Sequence, residues 1–311
     1  MDGADRILTG ERFPLLATLD DAELAGFRRA ARRIAVCAGE RLLEEEKRND
    51  DLHLVASGRM VAQRTHRGRQ IPIGFIGPGD IFGEQSLLQD RRTTASIHAE
   101  SAGEVWRVPG RLVRRQYDGN GRFRRAVDLV MERRMVHTAL ALNSLFSVLP
   151  AEVRQSMYHT GTMVRFPAGA ELQRQHDRDI RRSYLLLEGE AVGSITLSDP
   201  PGRVVEVARF GPGDQVGEIA VLDVPERIMT VTAHTPLTTF CISNETLHTF
   251  RMGNIDFALA LYENSRRLLQ RQCDLLAGTT GIDRARRMTV DRLVPFDRYC
   301  DPHQRKAHPL L

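Results

Sequence analysis

Residues 77–84 read GPGDIFGE and residues 211–218 read GPGDQVGE, identical at six of eight positions and 134 residues apart. The register holds beyond the octapeptide: Ser86-Leu87-Leu88 falls on Ala220-Val221-Leu222, Ser96-Ile97 on Thr230-Val231, and Ala99 on Ala233. Upstream it continues with small slips, AGERL at 38–42 answering AGAEL at 168–172, and the apolar run around Gly58 answering the one around Gly189. A duplication of this length decides the architecture before any single motif does.

Between the punctuating Gly, Pro and Asp residues lie short alternating apolar runs, Ile71, Ile73 and Phe75 in one copy and Val204, Val205, Val207 and Phe210 in the other. That pattern predicts strands closed by frequent turns into a barrel. Apolar residues at helical spacing bracket each strand block, over 20–33 and 121–142 around the first and over 150–158 and 255–276 around the second. Each repeat is therefore expected to run helix, strand block, helix.

The bulk properties agree with two ordinary domains. A chain of 311 residues is about twice the usual single-domain length, and 41% hydrophobic with 27% charged residues leaves no compositional case for disorder. No run of eighteen apolar residues occurs, and the opening MDGADRILTGERF carries neither a charged leader nor an apolar signal core, so a cytoplasmic protein without membrane association is expected. Cys37, Cys241, Cys273 and Cys300 lack CxxC spacing, and the ten histidines form no ligand pair at helical spacing, so reduced thiols and no metal are expected. No nucleophile, paired acid or metal cluster has convergent spacing, which excludes an enzyme from the expectation and leaves no catalytic residue to name. The net charge of +4 is gathered partly in the tail, which from Asp283 onward holds seven Lys/Arg against four Asp.

The repeat unit resembles the cyclic-nucleotide-binding domain shared by the catabolite activator (Crp/Fnr) superfamily and the regulatory subunits of cyclic-AMP-dependent protein kinase. The residues that carry the resemblance are Gly213-Asp214-Gln215-Val216-Gly217-Glu218-Ile219-Ala220, then Arg227, then Thr230-Val231-Thr232-Ala233, with Glu218 and Arg227 nine apart. It implies an α+β, mainly β fold of two tandem jelly-roll (cupin-like) barrels flanked by helices: a degenerate domain over 12–136, a second domain over 145–277 and a basic tail over 278–311. It also implies a ligand, a cyclic nucleotide, cyclic AMP ahead of cyclic GMP, with no further cofactor.

The implied roles have a physical basis. Backbone N–H groups after Gly217, at Glu218, Ile219 and Ala220, can cradle a cyclic phosphate, and Arg227 offers it a permanently charged planar fork. The Glu218 carboxylate accepts the ribose 2′-hydroxyl. Ile228 and Met229 stand where the family has small or hydroxyl residues, and Met229 either crowds the phosphate or fills a neighbouring gap. In the first repeat Gly83, Glu84 and Gln85 are in place. Strict register puts Thr93 opposite Arg227; if the hairpin shortens by one residue, Arg92 reaches the phosphate instead and Thr94 adds a hydroxyl.

The family's bacterial regulators place a winged helix-turn-helix after the long helix that follows the barrel. Residues 278–311, interrupted by Pro295, Pro302 and Pro309, are too few for one, so direct DNA binding is not expected. The output is then expected to pass through association, with a protein partner or as a homo-oligomer. Ile255, Leu259, Tyr262, Leu269, Cys273 and Leu276 form a stripe, broken at Arg266, that would pack on another helix or on its own barrel. Arg286-Arg287-Met288-Thr289-Val290 has the form of a basophilic kinase substrate. The expected function is a cytoplasmic cyclic-nucleotide sensor acting on a partner or its own oligomer. The alternatives are a Crp/Fnr-type transcriptional regulator using its basic tail, and a scaffold that has lost its ligand.

Overall fold

The two octapeptides make the same turn twice. The computed structural model describes residues 3–280 other than 67, 90–91, 199–200 and 223–225. In each copy the aspartate side chain closes the turn: Gly77 N–H donates to Asp80 Oδ2 at 3.1 Å and Gly211 N–H to Asp214 Oδ2 at 2.9 Å. A two-residue strand follows, then a glycine in left-handed backbone, Gly83 (φ +88°) or Gly217 (φ +94°), and then a short helix. A side chain at either glycine would be strained and would collide with its neighbours, at 217 with Arg227 Nη1 at 2.7 Å.

The chain divides into two compact units, Met1–Ala141 and Leu142–Leu311. The first contains strands β1 (Arg32–Val36), β2 (Arg41–Leu43), β3 (Asp51–Ser57), β4 (Met60–His66), β5 (Arg69–Ile76), β6 (Ile81–Phe82), β7 (Ser96–Ala99) and β8 (Gly103–Pro109). They pair antiparallel in two four-stranded sheets, in the orders β1-β8-β3-β6 and β2-β7-β4-β5. Val55, Met60, Phe82, Ile97 and Val105 fill the space between them. Its helices are α1 (Gly3–Ile7), α2 (Asp21–Ala30), α3 (Glu84–Leu88), α4 (Gly110–Gly119) and α5 (Gly121–Leu142). Asp20 and Glu23 start α2 with a reciprocal capping box, and Phe27 of that helix meets Phe123 of α5 edge to face at 6.1 Å in a second core.

The second unit repeats this plan. Strands β9 (Gly161–Phe166), β10 (Glu171–Gln173), β11 (Arg182–Glu188), β12 (Ala191–Ser198), β13 (Pro201–Phe210), β14 (Gln215–Val216), β15 (Thr230–Ala233) and β16 (Leu237–Ser243) form sheets in the orders β9-β16-β11-β14 and β10-β15-β12-β13. These are the first unit's orders strand for strand. The helices are α6 (Ala151–Ser156), α7 (Asn244–Gly253) and α8 (Ile255–Thr280), with a 3₁₀ helix over Glu218–Leu222 where the first unit has α3. The fold is α+β, two jelly-roll barrels in tandem with flanking helices, and the helices hold as many residues as the strands, more than the mainly β expectation allowed.

The burial of α8 differs from the stripe expected of it. Of that stripe Tyr262 and Leu269 are buried, Leu259 is half-buried and Ile255 is 48% exposed, the side chains of Cys273 and Leu276 lying outside the described residues; Phe257, Leu261, Ser265 and Gln272, not in the stripe, are buried too, and the helix packs on β13, on the Glu218–Leu222 helix and on α7. Two polar residues, Ser265 and Gln272, sit on the buried face, so apolar spacing alone marked only part of it. The basic tail from 281 onward, including the Thr289 motif, lies outside the described residues.

Candidate functional site

Hydrogen bonds settle the register between the two hairpins that lead into β7 and β15. Arg227 N–H donates to Asp177 O at 2.8 Å and Arg227 O accepts from His176 N–H at 2.8 Å. Thr93 N–H donates to Lys47 O at 2.9 Å and Thr93 O accepts from Glu46 N–H at 2.9 Å. Glu46 (φ 63°) and His176 (φ 66°) are the two described non-glycine residues in left-handed backbone, one in each copy of the same turn. Thr93 and Arg227 are therefore equivalent positions.

In the second barrel Gly217, Glu218, Ile219, Ala220, Arg227 and Ile228 converge on one pocket. Arg227, 5% exposed, donates from Nη1 to Gly217 O (3.0 Å), from Nη2 to Arg182 O (2.7 Å) and from Nε to Asp179 O (3.2 Å). Among the described residues it forms no ion pair; main-chain carbonyls orient its charge, and the carboxylates of Asp179, Asp177 and Glu218 act on it at longer range. Glu218 is buried beside it, and burial pushes its carboxyl up to about 7, against the opposing pull of its backbone hydrogen bond and of Arg227. Glu218 Oε2, Gln173 Oε1 and both amide atoms of Gln215 are buried without a hydrogen-bond partner. Four such atoms lining one pocket is a concentration of unmet polarity that packing alone does not call for.

The pocket is also nearly full, with a cavity of about 10 Å³. Met229 is buried, its main-chain oxygen accepting from Gln173 Nε2 at 3.2 Å and its sulfur approached by Gln272 Nε2 of α8 at 3.3 Å. Leu268, also on α8, lines the pocket from the other side.

The first barrel is built differently. Gly83, Glu84, Gln85, Thr93 and Thr94 line a cavity of about 80 Å³, and Arg92 is not among the residues lining it. Arg92 instead donates from Nη1 to Glu46 O at 2.9 Å, and its main chain forms an isolated antiparallel β-bridge with Arg48. Thr93 is buried with its hydroxyl donated to Lys47 O at 3.1 Å and to Glu44 O. Thr94 Oγ1 donates to Gln85 Oε1 at 2.9 Å. Glu84 is wholly buried, and Arg134 of α5 spans both carboxylate oxygens from Nη1 at 2.6 and 2.5 Å while Nη2 donates to Ile81 O. Beneath Gly83, His53 stacks on Phe82 at 4.6 Å; burial, helped by Arg107, lowers its pKa to about 4 and leaves the ring neutral at pH 7.

The sequence named Gln215 only within the turn motif and did not mark Arg134, Gln173, Leu268 or Gln272. For two of them a signal existed. Gln215 occupies one of the two positions at which the octapeptides differ, where the first copy has Ile81, and Gln173 stands where AGERL continues to Leu43. Both exchanges put an amide into the second pocket. Arg134, Leu268 and Gln272 come from helices distant in sequence, and nothing local marks them.

The pattern of the family described as "Cyclic nucleotide-binding domain" matches residues 33–120 and 163–254, once on each barrel. The cAMP-dependent protein kinase regulatory subunit of Emericella nidulans is 32% identical over 123 residues, 40% of this chain and 28% of that protein. The Cyclic AMP receptor protein of Thermus thermophilus is 44% identical over 55 residues, 17% of this chain and 26% of that protein. The matched stretch thus spans about a quarter of the length of these curated relatives. Among solved structures, the regulatory domain of Toxoplasma gondii PKA with cAMP is 24% identical, covering 86% of this chain and 98% of that one with a TM-score of 0.40. Among the described residues no helix is long and apolar enough to cross a membrane. With the family's pattern lying over each barrel and over more than half of the sequence in all, the chain belongs to the cyclic nucleotide-binding domain family.

Proposed function

We propose that this chain is a regulatory protein that senses a cyclic nucleotide through its second barrel and passes the signal to a protein partner or a second copy through α8. The observation that carries the reading is the second pocket itself: a buried guanidinium that forms no ion pair among the described residues, next to four buried polar atoms without hydrogen-bond partners. A cyclic phosphate would take the charge of Arg227, and a ribose 2′-hydroxyl would donate to Glu218. Gln173 and Gln215 supply further acceptors and donors at the same place. Because Leu268 lines the pocket and Gln272 reaches Met229, a nucleotide that enters must displace part of α8, and that displacement is the output. Cyclic AMP is preferred to cyclic GMP in this reading, on the strength of relatives named for cyclic AMP. A cytoplasmic site of action and a non-catalytic role belong to the same proposal, since the named relatives are a regulatory subunit and a receptor.

Calorimetric titration of the chain with 3′,5′-cyclic AMP, cyclic GMP and a cyclic dinucleotide tests it. Cyclic AMP is expected to bind at one strong site per chain, about tenfold or more ahead of the other two. No heat with any of the three would leave the ligand-free scaffold as the better description.

A further inference from the structure

Between α2 and α4 of the first unit runs a groove of about 840 Å³, lined by Arg29 of α2, Arg32 at the start of β1, and Arg111 and Arg115 of α4. All four arginines are exposed. Their neighbours have found carboxylates, Arg28 at Asp5 and Arg33 at Glu104, but among the described residues these four form no ion pair. Glu23, the carboxylate that lines the groove, is spent on the capping box of α2 and on Asn120 Nδ2 at 3.4 Å. Asp21 and Asp118 of the same two helices do not line it. The groove therefore concentrates positive charge between two walls, where the field of each guanidinium adds to the next.

The duplicated unit shows that the fold does not ask for this cluster. Strand pairing sets Arg32 opposite Arg107 in the first unit and Thr162 opposite Cys241 in the second, and α4 and α7 match at the same offset of 134. Thr162, Glu245 and Thr249 thus stand where the first unit has Arg32, Arg111 and Arg115. Arg111 and Arg115 also lie one turn apart on α4, a like-charge spacing that weakens a helix. Charges that the second copy is built without, and that burden the helix carrying two of them, are explained by an anion they meet.

The floor of the groove narrows the kind of anion. Ala22, Gly26, Ala30 and Leu112 lie between the charges, a surface on which the aliphatic side chains of a peptide can settle. Phe27, the aromatic residue lining it, is 1% exposed and offers no ring for a nucleic-acid base to stack on. Among the described residues none of the exposed large hydrophobics lines it, so a bilayer finds no anchor there.

We propose that this groove docks an acidic segment of a protein partner, with carboxylates on the four arginines and aliphatic side chains on the floor. This goes beyond the reading of the second barrel and does not rest on it.

The test is fluorescence anisotropy of the full chain with a labelled peptide of glutamates interspersed with leucines. Beside it stand the same peptide with glutamine for glutamate, a labelled DNA duplex, and co-sedimentation with phosphatidylserine vesicles. The acidic peptide is expected to bind at least about tenfold tighter than the glutamine peptide, and raising NaCl from about 50 to about 500 mM is expected to weaken it about tenfold. The combined variant Arg32→Thr, Arg111→Glu and Arg115→Thr gives the groove the residues of the second unit. It is expected to lose at least about tenfold in peptide affinity while melting at or above the temperature of wild type. Equal binding of the two peptides overturns the proposal, as does acidic-peptide binding that survives in the variant. Tighter binding of DNA or vesicles that the variant abolishes overturns it in favour of that partner, and a variant that melts well below wild type makes the arginines structural. Cyclic AMP titration of the variant is expected to stay within about twofold of wild type, and wild type that binds no cyclic nucleotide fails the second-barrel reading alone.

Discussion

Arg227→Ala is expected to weaken cyclic AMP binding by about 2–5 kcal/mol, a loss of roughly 30-fold to several thousandfold. The guanidinium is held in place before any ligand arrives, by the carbonyls of Gly217, Arg182 and Asp179, so no ordering cost falls on binding and the whole charge interaction is lost with the side chain. Lysine cannot reach three carbonyls with one fork, so Arg227→Lys should recover only part of the affinity. Arg92→Ala should change the affinity by no more than about twofold, because that side chain bonds Glu46 O and does not line the first cavity. Titration of the three variants with cyclic AMP decides the matter: an intact Arg227→Ala response beside a lost Arg92→Ala response would move the working site to the first barrel.

Glu218→Gln should stabilise the second barrel at neutral and alkaline pH while weakening nucleotide binding less than Arg227→Ala does. Burial lifts the Glu218 carboxyl from its ordinary 4.5 to about 7, so the folded state holds the proton more tightly than the unfolded chain does. Ionising the group in place therefore costs stability. The cost is absent below pH 4.5, grows between 4.5 and 7, and is complete above 7, where a shift of that size amounts to about 3 kcal/mol. The amide removes the titration but keeps a buried polar group, so a net gain of about 1–3 kcal/mol is expected at pH 8. It should fade toward zero as the pH falls to 4.5. Urea unfolding of wild type and variant across this range measures it, and a difference that does not vary with pH would show that ionisation of Glu218 is not the cause.

Much of the fold could be read from the octapeptides and from their unbroken offset. The sheet orders repeat strand for strand, the 121–142 helix falls on α5 residue for residue, and short helices begin at Glu84 and Glu218. The gap-free offset also paired Thr93 with Arg227, which the hairpin hydrogen bonds reproduce. These features are local: turn closure by Asp80 and Asp214, left-handed backbone at Gly83 and Gly217, alternation along a strand. What stayed hidden depends on where a distant helix comes to rest. The Arg134 contact with Glu84 joins residues fifty apart, and Gln272 reaches Met229 across forty-three. The buried face of α8 was legible only in part: Tyr262 and Leu269 lie on it as expected, but so do Ser265 and Gln272, and a polar residue gives no periodic signal of burial.

Leu268 and Gln272 make the second pocket its own competitor. If the second pocket takes a nucleotide as proposed, that nucleotide waits for α8 to withdraw, and the observed association rate should level off at the rate of that withdrawal instead of climbing with concentration. Apparent affinity is then the intrinsic affinity scaled by the fraction of molecules already open: with about 1% open, an intrinsic constant near 10 nM is measured as about 1 µM. Anything that holds α8 away from its barrel, a bound partner included, raises sensitivity without touching a residue that meets the ligand. On the proposed reading the helix and the pocket residues thereby set together the concentration at which the chain would respond, the helix through the open fraction and Arg227 through the intrinsic affinity.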